Sequence, residues 1–161
     1  MFNFKKIVAG IAVGAMVMGS GVAAFAGNGV TASDGKVVQF AAYYSSTNEW
    51  KAAPHGMNDE NIASAVYDED EELYVLTLKE GTYNIPMGET TVAMGGKIVS
   101  VTDANGDVVS VDSDNDGYAD TVAMIADNGV TKYTLNVKAT MNAGGATSPH
   151  SMSQQVYLMA D

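Results

Sequence analysis

Tyr133-Thr134-Leu135-Asn136-Val137-Lys138-Ala139-Thr140-Met141 alternates apolar and polar residues without a break. A period of two puts Tyr133, Leu135, Val137, Ala139 and Met141 on one face of an extended chain. Thr134, Asn136 and Lys138 fall on the other, so the stretch reads as a strand with one buried and one wet face. Leu73 to Lys79 repeats the pattern with Tyr74, Leu76 and Leu78 on one side. Further strands are expected at Val37–Tyr44, Ala63–Tyr67, Thr90–Met94, Ile98–Asp103, Val108–Asp112, Thr121–Ala126 and Gln154–Ala160. Turn signals lie among them: Asp34-Gly35, Glu80-Gly81, Gly95-Gly96, Asn105-Gly106 and Asn128-Gly129. Short strands punctuated in this way predict an all-β, antiparallel sandwich or barrel. Asn48 to Asn61 departs from the pattern and is expected to be a loop with one short helical turn. The acid run Asp68–Glu72 is expected to be a solvated hairpin.

Residues 1–26 carry a different signal. Lys5 and Lys6 precede an apolar run from Ile7 to Val22, and Ala24-Phe25-Ala26 offers small residues where a signal peptidase reads. A leader of this kind implies a secreted or surface-associated protein. Residues 27–161 are then expected to form a single domain, a length at which one core suffices. No second apolar segment follows, so membrane insertion of the mature chain is not expected.

Composition closes several doors. The 161 residues hold 8 basic residues, all Lys, against 19 Asp and Glu, for a formal charge of -11. Such a chain cannot line a phosphate backbone, so nucleic-acid binding is not expected. With Cys 0 there is no disulfide, thiolate metal site or thiol nucleophile. Neither Gly-x-Ser-x-Gly, His-Glu-x-x-His nor a phosphate loop occurs, and the chain is not expected to be an enzyme.

The only two His both occur as His-x-Met: His55-Gly56-Met57 and His150-Ser151-Met152. In an extended chain residues i and i+2 share a face, so each pair can present an imidazole beside a thioether. That donor set suits copper or haem iron. The bland alternative is a solvated His in a loop and a Met that plugs the core.

Asp112-Ser113-Asp114-Asn115-Asp116-Gly117-Tyr118-Ala119-Asp120 places carboxylates at positions 1, 3, 5 and 9 of a loop with Gly at 6. Loops of this spacing wrap Ca²⁺, with the Tyr118 carbonyl as the position-7 ligand. Position 12 is Ala123 and no helices flank the loop, so it is not an EF-hand. A structural Ca²⁺ site formed by Asp112, Asp114, Asp116, Tyr118 and Asp120 is expected, against the alternative of a solvated acidic hairpin.

The order of segments resembles the NEAT (near-iron transporter) domains of Gram-positive surface proteins. Asp34-Gly35-Lys36-Val37-Val38-Gln39-Phe40 is similar to that family's first strand, and His55-Gly56-Met57-Asn58-Asp59 to its short lip helix. Tyr74-Val75-Leu76-Thr77-Leu78-Lys79 is similar to its Val/Thr/Leu strand, and Val156-x-Leu158-x-x-Asp161 to its closing strand. The resemblance implies an immunoglobulin-like antiparallel β-sandwich of about eight strands that binds haem and exchanges it with other surface proteins. The family's Tyr-x-x-x-Tyr pair falls on His150 and Gln154, so tyrosinate ligation does not carry over. Imidazole is itself a haem ligand. His150 is then the expected axial ligand, with His55 or Met57 opposite and Met152 and Gln154 lining the pocket. A copper-binding protein using both His-x-Met pairs, and a Ca²⁺-stapled adhesive domain without cofactor, are the alternatives.

Overall fold

The computed structural model describes residues 29–47, 49–53, 56–126, 129–143 and 146–161. The leader segment and His55 therefore lie outside the described residues. The chain folds as an all-β protein in which β1 (Val30–Thr31), β2 (Val37–Tyr44) and β3 (Glu49–Ala52) precede a 3₁₀ turn, Asp59–Asn61. Then follow β4 (Ile62–Asp68), β5 (Leu73–Leu78), β6 (Gly81–Met87), β7 (Thr90–Asp103), β8 (Val109–Val111) and β9 (Thr121–Met124). Two long strands, β10 (Val130–Ala143) and β11 (Ala146–Ala160), complete the chain. Among the described residues no helix is long and apolar enough to cross a membrane.

All eleven strands belong to one antiparallel sheet in the order β1-β2-β11-β10-β7-β8-β9-β5-β4, with β3 on β2 and β6 on β7. This corrects the expected count of about eight: β1, β3 and β6 are additional strands, while the two strands expected within Thr90–Asp103 are one. Trp50 and its neighbours pair with β2 through Tyr43↔Trp50, so part of the expected loop is strand. Gly95-Gly96, expected as a turn, runs straight through β7 because both residues are paired, Gly96 with Gly81 on one side and Met141 on the other. Glycine permits a turn but does not compel one when ladder partners stand on both edges. Gly81 likewise opens a strand, β6, and does not end a turn. The 3₁₀ turn Asp59–Asn61 and the acidic hairpin between β4 and β5 are as expected.

The sheet wraps until its two edges nearly meet, so the shape is close to a barrel. At the seam Ala32 bridges Ala65, the Tyr67 N–H donates to Ser33 Oγ at 2.8 Å, and the Tyr74 hydroxyl donates to Asp34 at 2.9 Å. The seam covers edges that would otherwise offer a template for strand addition.

The core is built from the alternation read in the sequence. Leu135, Val137 and Ala139 of β10 point inward with Val156 and Leu158 of β11, Val38 and Phe40 of β2, and Ile98 and Val101 of β7. Tyr74, Leu76, Val122 and Met124 close the other side. A smaller cluster, Leu73, Val75 and Ala123, sits on the reverse face of β5 and β9. A one-residue slip would expose every inward side chain of a strand, which fixes the register.

Candidate functional site

Two of the residues singled out for ligand binding, Met57 and Gln154, meet where β11 touches the segment 56–61. Gln154 lies on the inward face of β11 and is 7% exposed. Its Oε1 accepts the Met57 N–H at 2.8 Å, and its Nε2 donates to the Met57 carbonyl at 2.9 Å. One side-chain amide thus satisfies both backbone groups of a residue 97 positions away. Gly56 stands beside it with φ +76, and a Cβ there would come within 2.3 Å of Gln154 Oε1. Both the left-handed backbone and the close approach require glycine.

The 3₁₀ turn follows directly. Asn58 caps it by accepting the Glu60 N–H at 2.9 Å, while the Asn58 N–H reaches Asn61 Oδ1 at 3.4 Å, a reciprocal capping arrangement. Asp59, 6% exposed, accepts the Phe40 N–H at 2.6 Å through Oδ1 and so ties the turn to β2. Its Oδ2 is buried without a hydrogen-bond partner. Burial pushes the Asp59 carboxyl up to about 6; the Phe40 N–H opposes that shift and the neighbouring Glu60 charge adds to it.

The expected site residues separate along this contact. Met57 is fully buried, and its side chain packs in the main core. Met152, one inward position beyond Gln154, is half-buried and touches the same core. His150, the next inward position, pairs with Ala139 and is exposed, with its Nε2 3.2 Å from Ser148 Oγ. The alternation that aligns His150, Met152 and Gln154 on one face of β11 was legible in the sequence. The role of Gln154 as a clamp on Met57 was not, because a lone Gln carries no local signal for a contact across the fold. Asp59 was also passed over, although the Asn-x-x-Asn spacing around it is a capping signal.

The acidic loop spans the gap between β8 and β9. Asp112, Asp114 and Asp116 each offer an oxygen, and these oxygens lie within 4.8 Å of one another. The loop is shaped by its own carboxylates: Gly117 N–H donates to Asp112, Asp116 N–H to Asp114 and Tyr118 N–H to Asp116, at 2.9, 3.0 and 2.8 Å. Asn115 and Gly117 turn the chain with φ 60 and 92. Asp112 Oδ1 is buried without a hydrogen-bond partner. Asp120, expected in the same ligand set, is engaged elsewhere: its Oδ2 accepts both the N–H and the hydroxyl of Ser113. These bonds hold its carboxyl below the usual range. The Tyr118 ring lies 4.8 Å from the Lys97 ammonium.

No family model, curated protein or solved structure matches the chain.

Proposed function

We propose that this chain is a secreted haem- or metalloporphyrin-binding protein, a scavenger or relay in iron acquisition, with His150 as the axial ligand. The immunoglobulin-like sandwich of the NEAT type is the fold that accompanies this reading, its sheet wrapped nearly closed. One observation carries it. The two hydrogen bonds between Gln154 and the Met57 backbone hold Met57, the methionine of one His-x-Met pair, against β11, two residues along from Met152 of the other pair. Beyond that clamp, the inward face of β11 continues as Met152 and then the exposed His150. An apolar thioether followed by an accessible imidazole suits a flat hydrophobic ligand with a metal at its centre.

His150 would hold the iron through Nε2 once Ser148 turns away, and Met152 would pack against the ring system. The haem, when bound, supplies the open coordination position that imidazole fills. Met57 packs within the core, so its thioether is turned away from solvent and does not favour a copper site built from both pairs. Titration of hemin into the protein should shift the Soret band, and His150→Ala should abolish or displace that shift. No shift at micromolar protein would overturn the proposal. Tight Cu(I) binding lost on removing both His would instead favour the copper alternative.

A second reading concerns the acidic loop, and the partnerless Asp112 Oδ1 favours it. A buried carboxylate oxygen without a donor is costly, and a cation among Asp112, Asp114 and Asp116 would satisfy it. Ca²⁺ there would act as a structural staple between β8 and β9, with the affinity of extracellular modules, roughly 10⁻⁴–10⁻³ M.

A further inference from the structure

Two of the 3 Pro residues of the chain stand inside strands, Pro86 in β6 and Pro149 in β11. Proline has no N–H to give to a ladder, so within a sheet it is tolerated where that missing group would face an open edge. The hydrogen-bond pattern places both prolines in that position. In an antiparallel pair, successive residues turn their N–H and C=O alternately to one side of the strand and to the other. Asp161, at the end of β11, exchanges two bonds with Val37, its N–H donating at 3.2 Å and its carbonyl accepting at 2.7 Å. Every second residue back along β11, through Tyr157, Ser153 and Ser151 to Pro149, therefore points to that same side, away from β10. β2 fills this side only from Tyr157 onward, and among the described residues no strand pairs with it over 146–153.

The turn of β6 leads to the same arrangement. Gly88, with φ 66, and Glu89 link Met87 to Thr90 in a two-residue hairpin, whose flanking pair is hydrogen-bonded. Pro86 and Thr91, one step further, form a pair without bonds to each other, so Pro86 faces away from β7. No described strand stands there either. The two open edges lie on opposite margins of one stretch of sheet. The row Gly81↔Gly96↔Met141↔Ser148 crosses from β6 through β7 and β10 to β11.

An open edge is a template for another strand, and charge is a common way to blunt it. Here that device is missing: residues 146–153 and β6 contain no Asp, Glu or Lys, in a chain with 19 acids. Elsewhere other devices serve, since the open stretch 90–94 of β7 is short and β3 carries Glu49 and Lys51. The occupant that the two uncharged edges fit is a second copy of the chain. Each copy offers one such edge at each margin, so β6 of one meets no charge on β11 of the next, although the molecules as a whole repel at a formal charge of -11. A head-to-tail contact of this kind does not close on itself and leads to open filaments. We propose that Pro86 and Pro149 guard the protein against this assembly, each leaving a carbonyl of the incoming strand without a donor.

The test replaces the prolines by threonine, which returns the N–H and suits a strand. The parent should sediment as a monomer from micromolar to millimolar concentration. Pro86→Thr/Pro149→Thr should associate as concentration rises and bind thioflavin T. Each single variant should associate about tenfold more weakly than the double one. Ser151→Thr, which changes the same edge of β11 but leaves both prolines in place, should remain a monomer. A folded variant, single or double, that never associates would overturn the proposal, as would a parent that already self-associates. Association of Ser151→Thr equal to that of the double variant would also overturn it, because threonine and not the restored N–H would then be the cause. If circular dichroism finds both single variants unfolded, the prolines serve folding and do not guard the edges.

Discussion

Two polar clusters in this protein make opposite use of aspartate. In the segment 56–61 the polar groups are buried: Asp59 accepts from Phe40 of β2 and Gln154 of β11 bonds the Met57 backbone, while Asn58 and Asn61 cap the turn. In the loop Asp112–Asp120 they are mostly exposed and bond to their own loop. Asp59 is held above the ordinary carboxylate range by desolvation, and Asp120 below it by the two groups of Ser113. The same residue type is thus a cost in one place and a support in the other. What decides is the number of donors per oxygen and the access of water.

The strongest way to break the comparison is to remove the buried clamp. Gln154→Leu leaves the Met57 N–H and carbonyl without partners in the core, and should cost about 3–4 kcal/mol in chemical denaturation. Gly56→Ala should approach that loss, since a Cβ meets Gln154 and φ stays positive. If either variant is as stable as the parent, the clamp is not what holds this segment.

Asp59 gives the next effect, and its sign is specific. Its folded value of about 6 lies above the ordinary carboxyl value of 3.8. Both states are protonated below about pH 4, so no penalty acts there. As pH rises from about 4 to about 6 the unfolded chain ionises first, and folded stability falls. Above about pH 6 the penalty is constant, on the order of 3 kcal/mol. Asp59→Asn keeps an acceptor for Phe40 and should remove this slope. The difference between the two proteins' unfolding free energies should change across pH 4–6 and level off above. A constant difference would mean that Asp59 does not titrate in the folded state.

The exposed loop should respond more weakly. With a dissociation constant near 10⁻³ M, 10 mM Ca²⁺ stabilises by about 1.4 kcal/mol, read as a raised melting temperature. Asp114→Ala/Asp116→Ala should abolish the response and leave the protein folded. If this variant still responds to Ca²⁺, the ion binds elsewhere. Smallest is Ser113→Ala, which takes the hydroxyl donor from Asp120. Because the Asp120 value is lowered on folding, its contribution is present above the unfolded value and lost on acidification. The variant should therefore lose a few tenths of a kcal/mol at neutral pH, and that loss should fade as acid protonates Asp120 in the folded protein. The slope is opposite in sign to that of Asp59.

Most of the strands were legible because alternation is local: Tyr133 to Met141 states its own two faces. What escaped were the features that depend on a partner. Trp50 became strand because β2 offered it a ladder, and Gly95-Gly96 stayed extended because β6 and β10 flank it. The candidate site divides likewise. His150, Met152 and Gln154 follow from period two along β11, and the aspartate spacing of the acidic loop is a local motif. The pairing of Gln154 with Met57, the burial of Asp59 and the diversion of Asp120 to Ser113 do not follow from any window of sequence.

The sequence by itself determined the class of the protein: an antiparallel β fold, acidic, without Cys or Arg, and with two His each beside a Met. Those properties are set by side-chain chemistry and a period of two, both carried within a few residues. Only the tertiary structure decided that the sheet wraps until Ala32 meets Ala65, and that Met57 is locked inside while His150 stays in water. Each of these depends on which distant backbone groups are left to be satisfied once the core is packed, and that is a property of the whole fold.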